Sequence, residues 1–116
     1  MIVTDQPIMR DGLRLLVGRQ PDMRVVGESA PAAQVLRDLL ELKPDIAIID
    51  LQRPPGACLK MLNAIRAISP LTPLLILANY PEGIVIPSGP GQGPTGVLGK
   101  LSASREVIPA VRRLTR

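Results

Sequence analysis

The sequence has no histidine, no tryptophan and no phenylalanine, and Tyr80 is its only aromatic residue. Without ring faces for bases to stack on, a platform for single-stranded nucleic acid is excluded. With no His and only Cys58 as a thiol, zinc centres of the usual ligand type and His-dependent catalytic triads are excluded too. A lone cysteine closes no intramolecular disulfide, which fits a cytoplasmic chain. No apolar run has the length of a membrane span, and the amino terminus enters Ile2-Val3 without a basic leader. The expectation is a soluble, cytoplasmic protein that makes no use of a membrane.

What the chain does have is aliphatic residues. With 46% apolar residues and almost no rings, its core has to be built from Leu, Ile, Val, Met and Ala. Residues 1–116 suffice for one sheet covered by helices, and not for two independent cores. The net charge of +4 is spread along the chain until Arg112, Arg113 and Arg116 gather at the end. There they read as favourable charge at a helix carboxyl end, not as a DNA-binding patch.

The stretch Lys43-Pro44-Asp45-Ile46-Ala47-Ile48-Ile49-Asp50 climbs through an unbroken apolar run and ends on a carboxylate. Such a run, followed by the turn-rich Gln52-Arg53-Pro54-Pro55-Gly56, reads as a strand buried on both faces in a parallel sheet. Ligands of open α/β sheets sit beyond the carboxyl ends of the strands. Asp50 therefore stands where binding or chemistry is placed, or else caps the next loop.

Taken in order, Met1 to Thr4 is β-like and runs into Asp5-Gln6-Pro7. Pro7 then opens a helix in which Met9, Leu13, Leu16 and Val17 recur at helical spacing before Gly18. A second strand is expected over Met23–Glu28 and an amphipathic helix between Pro31 and Leu42, followed by the strand ending at Asp50. Leu59, Leu62, Ile65 and Ile68 mark a third helix stopped by Ser69-Pro70, and Leu74–Leu77 is a fourth strand. This β-α-β-α-β-α-β order demands right-handed crossovers and a parallel sheet.

The pattern then breaks. From Pro81 to Gly96 the chain is too rich in Pro and Gly for a regular helix, since each interior Pro costs about 3 kcal/mol and each Gly about 1. An irregular loop is expected in place of a fourth crossover helix, with an extended stretch over Ile84, Val85 and Ile86. Val97-Leu98 forms a short last strand delivering Lys100, and Val107, Val111 and Leu114 line a final helix. Pro109 is expected near the start of that helix, or to shift the start later.

A doubly wound five-stranded sheet gathers the ends of its first, third and fifth strands, so Asp5, Asp50 and Lys100 are expected around one pocket. Two carboxylates and an ammonium suit a phosphoryl-accepting aspartate: a nucleophile, a second acid to hold Mg²⁺, and a cation for the phosphoryl oxygens. The same residue types also occur as plain structural ion pairs. A nucleotide binder or enzyme of flavodoxin-like fold is disfavoured, because no Gly-rich loop follows the first strand.

Several phrases together resemble the receiver domain of two-component response regulators, in particular the LuxR-type (NarL/FixJ-like) transcription factors. They are Val3-Thr4-Asp5-Gln6-Pro7 with Arg10-Asp11-Gly12-Leu13, Pro21–Glu28, Lys43–Leu51 with Pro54 four residues after Asp50, and Gly96–Lys100. The resemblance spans essentially the whole chain. It implies a flavodoxin-like (CheY-like) doubly wound five-stranded parallel sheet, with the fourth helix replaced here by the Gly/Pro-rich loop. It further implies Asp50 as phosphoacceptor, Asp5, Asp50 and the backbone carbonyl of Gln52 as the ligands of any bound Mg²⁺, and Lys100 as the phosphate-contacting cation.

Three positions depart from the family pattern. Thr4 stands where the family has the first acid of its acidic pair, which weakens any Mg²⁺ site. Ala78 stands where it has a Ser or Thr that bonds the phosphoryl group, and Val97 stands at a position often aromatic. The expectation is an atypical receiver with an impaired phosphoacceptor site, a regulatory and dimerisation module and not an enzyme. The alternative is a working Mg-dependent receiver accepting a phosphoryl group on Asp50 from a histidine kinase. Implied partners are a second copy of the chain, a histidine kinase or a small-molecule ligand near Tyr80 and Ile84–Ile86, and DNA only through a helix-turn-helix domain outside this chain.

Overall fold

Two-sided apolar runs and one-sided amphipathic stripes alternate along the chain, and in the computed structural model they become strands and covering helices. The structure describes residues 1–30, 33–51, 55–84, 86 and 89–116, with the backbone alone for Ala33 and residues 55–58. The strands are β1 (Ile2–Val3), β2 (Glu28–Ser29), β3 (Ala47–Asp50), β4 (Leu74–Ala78) and β5 (Thr95–Gly99). The helices are α1 (Pro7–Gly18), α2 (Ala33–Leu42), α3 (Pro55–Ile68) and α4 (Ala103–Leu114). All pairings are parallel, in the order β2-β1-β3-β4-β5. Among the described residues no helix is long and apolar enough to cross a membrane.

Alternation along the central strands divides the core between the two faces. Val3, Ile49, Leu74 and Ile76 pack with Val35, Leu39, Leu62 and Ile65 of α2 and α3. Ile2, Ile48, Leu75 and Leu77 pack with Leu13, Val17, Val107 and Val111 of α1 and α4. Each such aliphatic side chain contributes about 1.5–3 kcal/mol on burial, so neither face needs an aromatic residue.

Several boundaries differ from expectation, among them β1, which is Ile2–Val3 and not Met1 to Thr4, and β4, which runs on to Ala78. The second strand is not Met23–Glu28 but Glu28–Ser29. Register explains this: Ile2 lies opposite Glu28, so residues 23–26 precede the start of β1 and find no β1 backbone to pair with. Helix α3 begins earlier than its apolar stripe, at Pro55, where a proline suits the first turn. The last strand is Thr95–Gly99 and not Val97-Leu98 alone, because β4 offers five residues to pair with it. The last helix starts at Ala103, which puts Pro109 in its interior. The proline is exposed, on the side where a lost backbone bond is tolerated. Pro31, Pro54 and Val85 lie outside the described residues, as does the side chain of Cys58.

Between β4 and β5 the described residues form a 3-10 turn over Pro81–Gly83, followed by irregular backbone in which Gly91 has φ +78°. The far end of this connection is fixed by Arg66, only 4% exposed. Its guanidinium donates to the carbonyls of Pro70 (2.9 Å), Thr72 (2.6 Å), Gly93 (2.9 Å) and Pro94 (3.1 Å) and to the Thr95 hydroxyl (2.9 Å). Burial draws this guanidinium below its ordinary pKa. In the last turn of α4, Arg112 binds the carboxylate of Asp22 and holds that carboxyl below its usual value.

Lys43 directly follows helix α2; its N–H donates to the Leu39 carbonyl at 3.2 Å while its φ is +46°. That left-handed conformation costs a side-chain-bearing residue about 1–2 kcal/mol. Lys43→Gly is therefore expected to stabilise the fold by about 0.5–1 kcal/mol, after the greater freedom of glycine in the unfolded chain is subtracted. The check is the urea midpoint at unchanged m-value; a lower midpoint contradicts it.

Candidate functional site

The site lies at the carboxyl ends of the three central strands and is assembled by register. Val3 stands opposite Ile49, so the next residue, Thr4, comes beside Asp50. Asp50 pairs with Leu77 and Ala78 pairs with Gly99. The end of β4 thus lies between Asp50 and Lys100. Ala78, 3% exposed, supplies only a methyl group there.

Asp50 is 1% exposed, and both of its carboxylate oxygens are engaged. Thr4 Oγ1 donates to Oδ2 at 2.8 Å, and Lys100 Nζ lies 2.7 Å from Oδ1. The Thr4 hydroxyl in turn accepts the backbone N–H of Gln6 at 3.1 Å, which ties the turn after β1 to the site. Thr4 itself is 3% exposed. A buried carboxylate is tolerated only when paired and hydrogen-bonded, and here one neutral donor and one ammonium meet that condition. Beyond Lys100, the Ser102 hydroxyl donates to Glu106 at 2.8 Å and reaches the Gly99 carbonyl at 3.3 Å, shaping the turn into α4.

The structure thus brings Thr4, Asp50 and Lys100 into one bonded group. Asp5 is exposed at the same edge, one residue past Thr4, and takes no part in that group. Tyr80 is exposed at the start of the 3-10 turn. Ile84 and Val97 pack on the α2/α3 side of the core, and Ile86 is half-buried. Gln52 and Val85 lie outside the described residues. Thr4 as a hydrogen-bond donor to Asp50 was missed in the sequence, where it read only as a missing acid. Spacing alone carries no signal for it, because the bond depends on the register of β1 against β3.

Mg²⁺ demands several hard oxygen ligands in near-octahedral array. Among the described residues no group of three acid, His or Cys side chains could hold a metal. The Thr4 proton points at the carboxylate that would have to bind the ion. Open cavities of about 410 and 490 Å³ lie instead at the amino-terminal end of the sheet, against residues such as Asp45 and Arg116, away from the Asp50 group.

Comparison with known proteins agrees with this architecture. A family model described as the response regulator receiver domain matches residues 1–112. The chain is 29% identical over 115 residues to the transcriptional regulatory protein YxjL of Bacillus subtilis (strain 168), covering 99% of this chain and 53% of that protein. It is 31% identical over 113 residues to the oxygen regulatory protein NreC of Staphylococcus epidermidis (strain ATCC 12228), covering 97% and 52%. The chain spans about half the length of the curated relatives it matches. Among solved structures, the response regulator domain of Thermotoga maritima CheB superposes with a TM-score of 0.74 at 21% identity, covering 98% of this chain and 92% of that one.

Proposed function

We propose, from the premise that the chain belongs to the response regulator receiver domain family, that it is an atypical receiver of a two-component-type transcriptional regulator. On this reading the Asp50 site is impaired as a phosphoacceptor, and the domain acts through association and partner contacts. The observation that carries the reading is the state of Asp50: a buried carboxylate satisfied by the Thr4 hydroxyl and the Lys100 ammonium.

Thr4 supplies a proton where a metal site needs a further anionic oxygen, and Ala78 offers no hydroxyl to an incoming phosphoryl group. The Gly/Pro-rich connection after β4 stands in for the family's fourth helix, with Tyr80, Ile84 and Ile86 along it as the contact segment for a ligand or partner. The domain is cytoplasmic, forms a homodimer, and reaches DNA through a domain outside these residues.

One observation favours the second reading, a working phospho-receiver served by a histidine kinase. Lys100 is held where it could neutralise charge building up on phosphoryl oxygens at Asp50.

Intact-mass analysis after incubation with Mg²⁺ and a small acyl-phosphate donor separates the two. In a working receiver an Asp50 carboxylate oxygen attacks phosphorus, the donor's carboxylate leaves, and an acyl phosphate remains on Asp50. The expected result is no stoichiometric phosphoryl adduct on the parent protein, with Thr4→Asp raising the modified fraction at least about tenfold, roughly 1.4 kcal/mol in the barrier. A parent protein fully modified at Asp50 overturns the impaired-site reading in favour of the second.

A further inference from the structure

The chain on either side of β1 runs past its start. Residues 23–26 do so ahead of β2, and Pro44, Asp45 and Ile46 do so ahead of β3. Between these two runs lies the open cavity of about 410 Å³, with Met1, Met23, Arg24, Val26, Pro44 and Val111 in its walls. Backbone donors face it. The Ile2 N–H donates to the Gly27 carbonyl and the Met1 amine to the Ile46 carbonyl, each at 3.0 Å. In a strand the N–H and C=O of one residue point to the same side, so the N–H groups of Gly27 and Ile46 are turned toward the line of β1 as well. Among the described residues neither donates to a backbone carbonyl.

The end of the cavity against Met1 is cationic. An ammonium has three donors, and that of Met1 gives one of them to Ile46. Burial lowers its pKa to about 6 against the pull of Asp45, so this is a charge short of water. Arg24 and Arg116 line the same cavity and take part in no ion pair among the described residues, while Asp22 is already held by Arg112. Asp45 is then the acid side chain that opposes these cations. Apolar side chains complete the walls, among them Val26, which is 37% exposed.

We propose that this cavity is a strand-acceptor site for the free carboxyl end of a partner polypeptide, which enters in line with β1, runs parallel to it and stops against Met1. Charge decides the orientation. Running parallel, the incoming chain brings its terminal carboxylate to the Met1 ammonium and the Gly27 N–H, and its preceding carbonyl to the Ile46 N–H. Running the other way, it brings an ammonium against an ammonium. At about 3.3 Å per residue, the run alongside Arg24–Val26 takes about three residues. Pro44 has no N–H to offer and ends the pairing on the β3 side. A fitting partner therefore ends in two apolar residues, matched to the walls formed by Met23, Val26 and Val111, preceded by an acid matched to Arg24. Main-chain bonds supply the affinity of such an added strand, and the side-chain contacts its selectivity. The site stands at the opposite end of the sheet from Asp50, so it holds or falls independently of the phosphoacceptor reading.

Amide-resolved NMR of the chain with acetyl-Glu-Val-Val as the probe tests it, at about pH 5.5, where the amine is protonated and a peptide carboxylate ionised. The expected result is saturable movement of the Gly27 and Ile46 signals with a dissociation constant below about 1 mM. Ending the same probe in an amide is expected to weaken binding at least about tenfold, and so is Arg24→Glu, a change at an exposed position that leaves the fold intact. In a second measurement Glu-Val-Val is fused ahead of Met1. This extension is expected to take the site itself, raise the midpoint of thermal unfolding and abolish any movement on adding the probe. An amide probe that binds as well as the acid overturns the proposal, because the carboxylate is then not what is captured. Acetate binding as tightly as the peptide overturns it in favour of a simple anion site. Signals that move only outside the cavity, undiminished binding to the fused chain, or no binding at all overturn it as well.

Discussion

Replacing Arg66 by methionine is expected to cost the fold about 3–5 kcal/mol, because several buried acceptors lose their donor at once and each one left unsatisfied costs about 1–3 kcal/mol. The side chain is 4% exposed, and its acceptors are four backbone carbonyls and a hydroxyl, none of them a carboxylate. Methionine keeps most of the volume and supplies no donor. The carbonyls of Pro70, Thr72, Gly93 and Pro94 then lose their charged partner, and each hydrogen bond to a charged group contributes about 1.5–3 kcal/mol before non-additivity is allowed for. Rearrangement is blocked nearby. A Cβ on Gly93 would lie 2.2 Å from the Leu71 carbonyl oxygen, and the Gly93 N–H already donates to Pro70 at 2.7 Å, so the two loops are in direct backbone contact and cannot slide past each other to find new donors. Arg66→Lys is expected to lose about half as much, since an ammonium has three donors but not the planar fork that spans both loops. Urea unfolding of the three proteins measures this; Arg66→Met within about 1 kcal/mol of the parent contradicts it.

Arg66 also marks where sequence reading ran out. The architecture was legible because β3 and β4 are apolar on both faces and the helices on one, and those two periodicities admit few other arrangements. Residues 23–26 have the composition of a strand, but whether a strand forms depends on the partner's register, which is a property of the pair. Pro109 pointed to a later helix start. Tertiary packing of Ala103, Val107, Ala110 and Val111 on the sheet outweighs the backbone bond that the proline removes. Nothing in the helical spacing of Leu59, Leu62, Ile65 and Ile68 singles out Arg66. The usable signal was indirect: a connection rich in Gly and Pro leaves many carbonyls without helical partners, and a multi-donor side chain has to come from somewhere to meet them. The candidate site was legible in the same uneven way. Asp50 and Lys100 follow from strand ends, whereas the Thr4 hydrogen bond depends on a rotamer and a register that no spacing encodes.

Lys100→Met should be nearly as damaging as the loss of Arg66, and for an electrostatic reason. The Asp50 side chain is fully buried and the Lys100 side chain 12% exposed, with 2.7 Å between the charged atoms. Methionine removes the neutralising charge and leaves the carboxylate in the interior, which costs about 3–5 kcal/mol when one partner of a buried pair is deleted. The reverse deletion is expected to be milder. In Asp50→Asn the amide still accepts from Thr4, and the freed ammonium, already at the rim, can turn into water; a cost of about 1–2 kcal/mol follows. The double variant Asp50→Asn with Lys100→Met should recover most of the stability lost by Lys100→Met alone, because no stranded charge remains. Unfolding free energies of the four proteins form a cycle with an expected coupling of about 3 kcal/mol. The order of the single variants carries the meaning for function. If Lys100→Met is the worse of the two, the resting site is a closed ion pair that any phosphoryl donor has to break. If Lys100→Met is harmless, another cation neutralises Asp50 in solution, and the working phospho-receiver gains the ground that the impaired site loses.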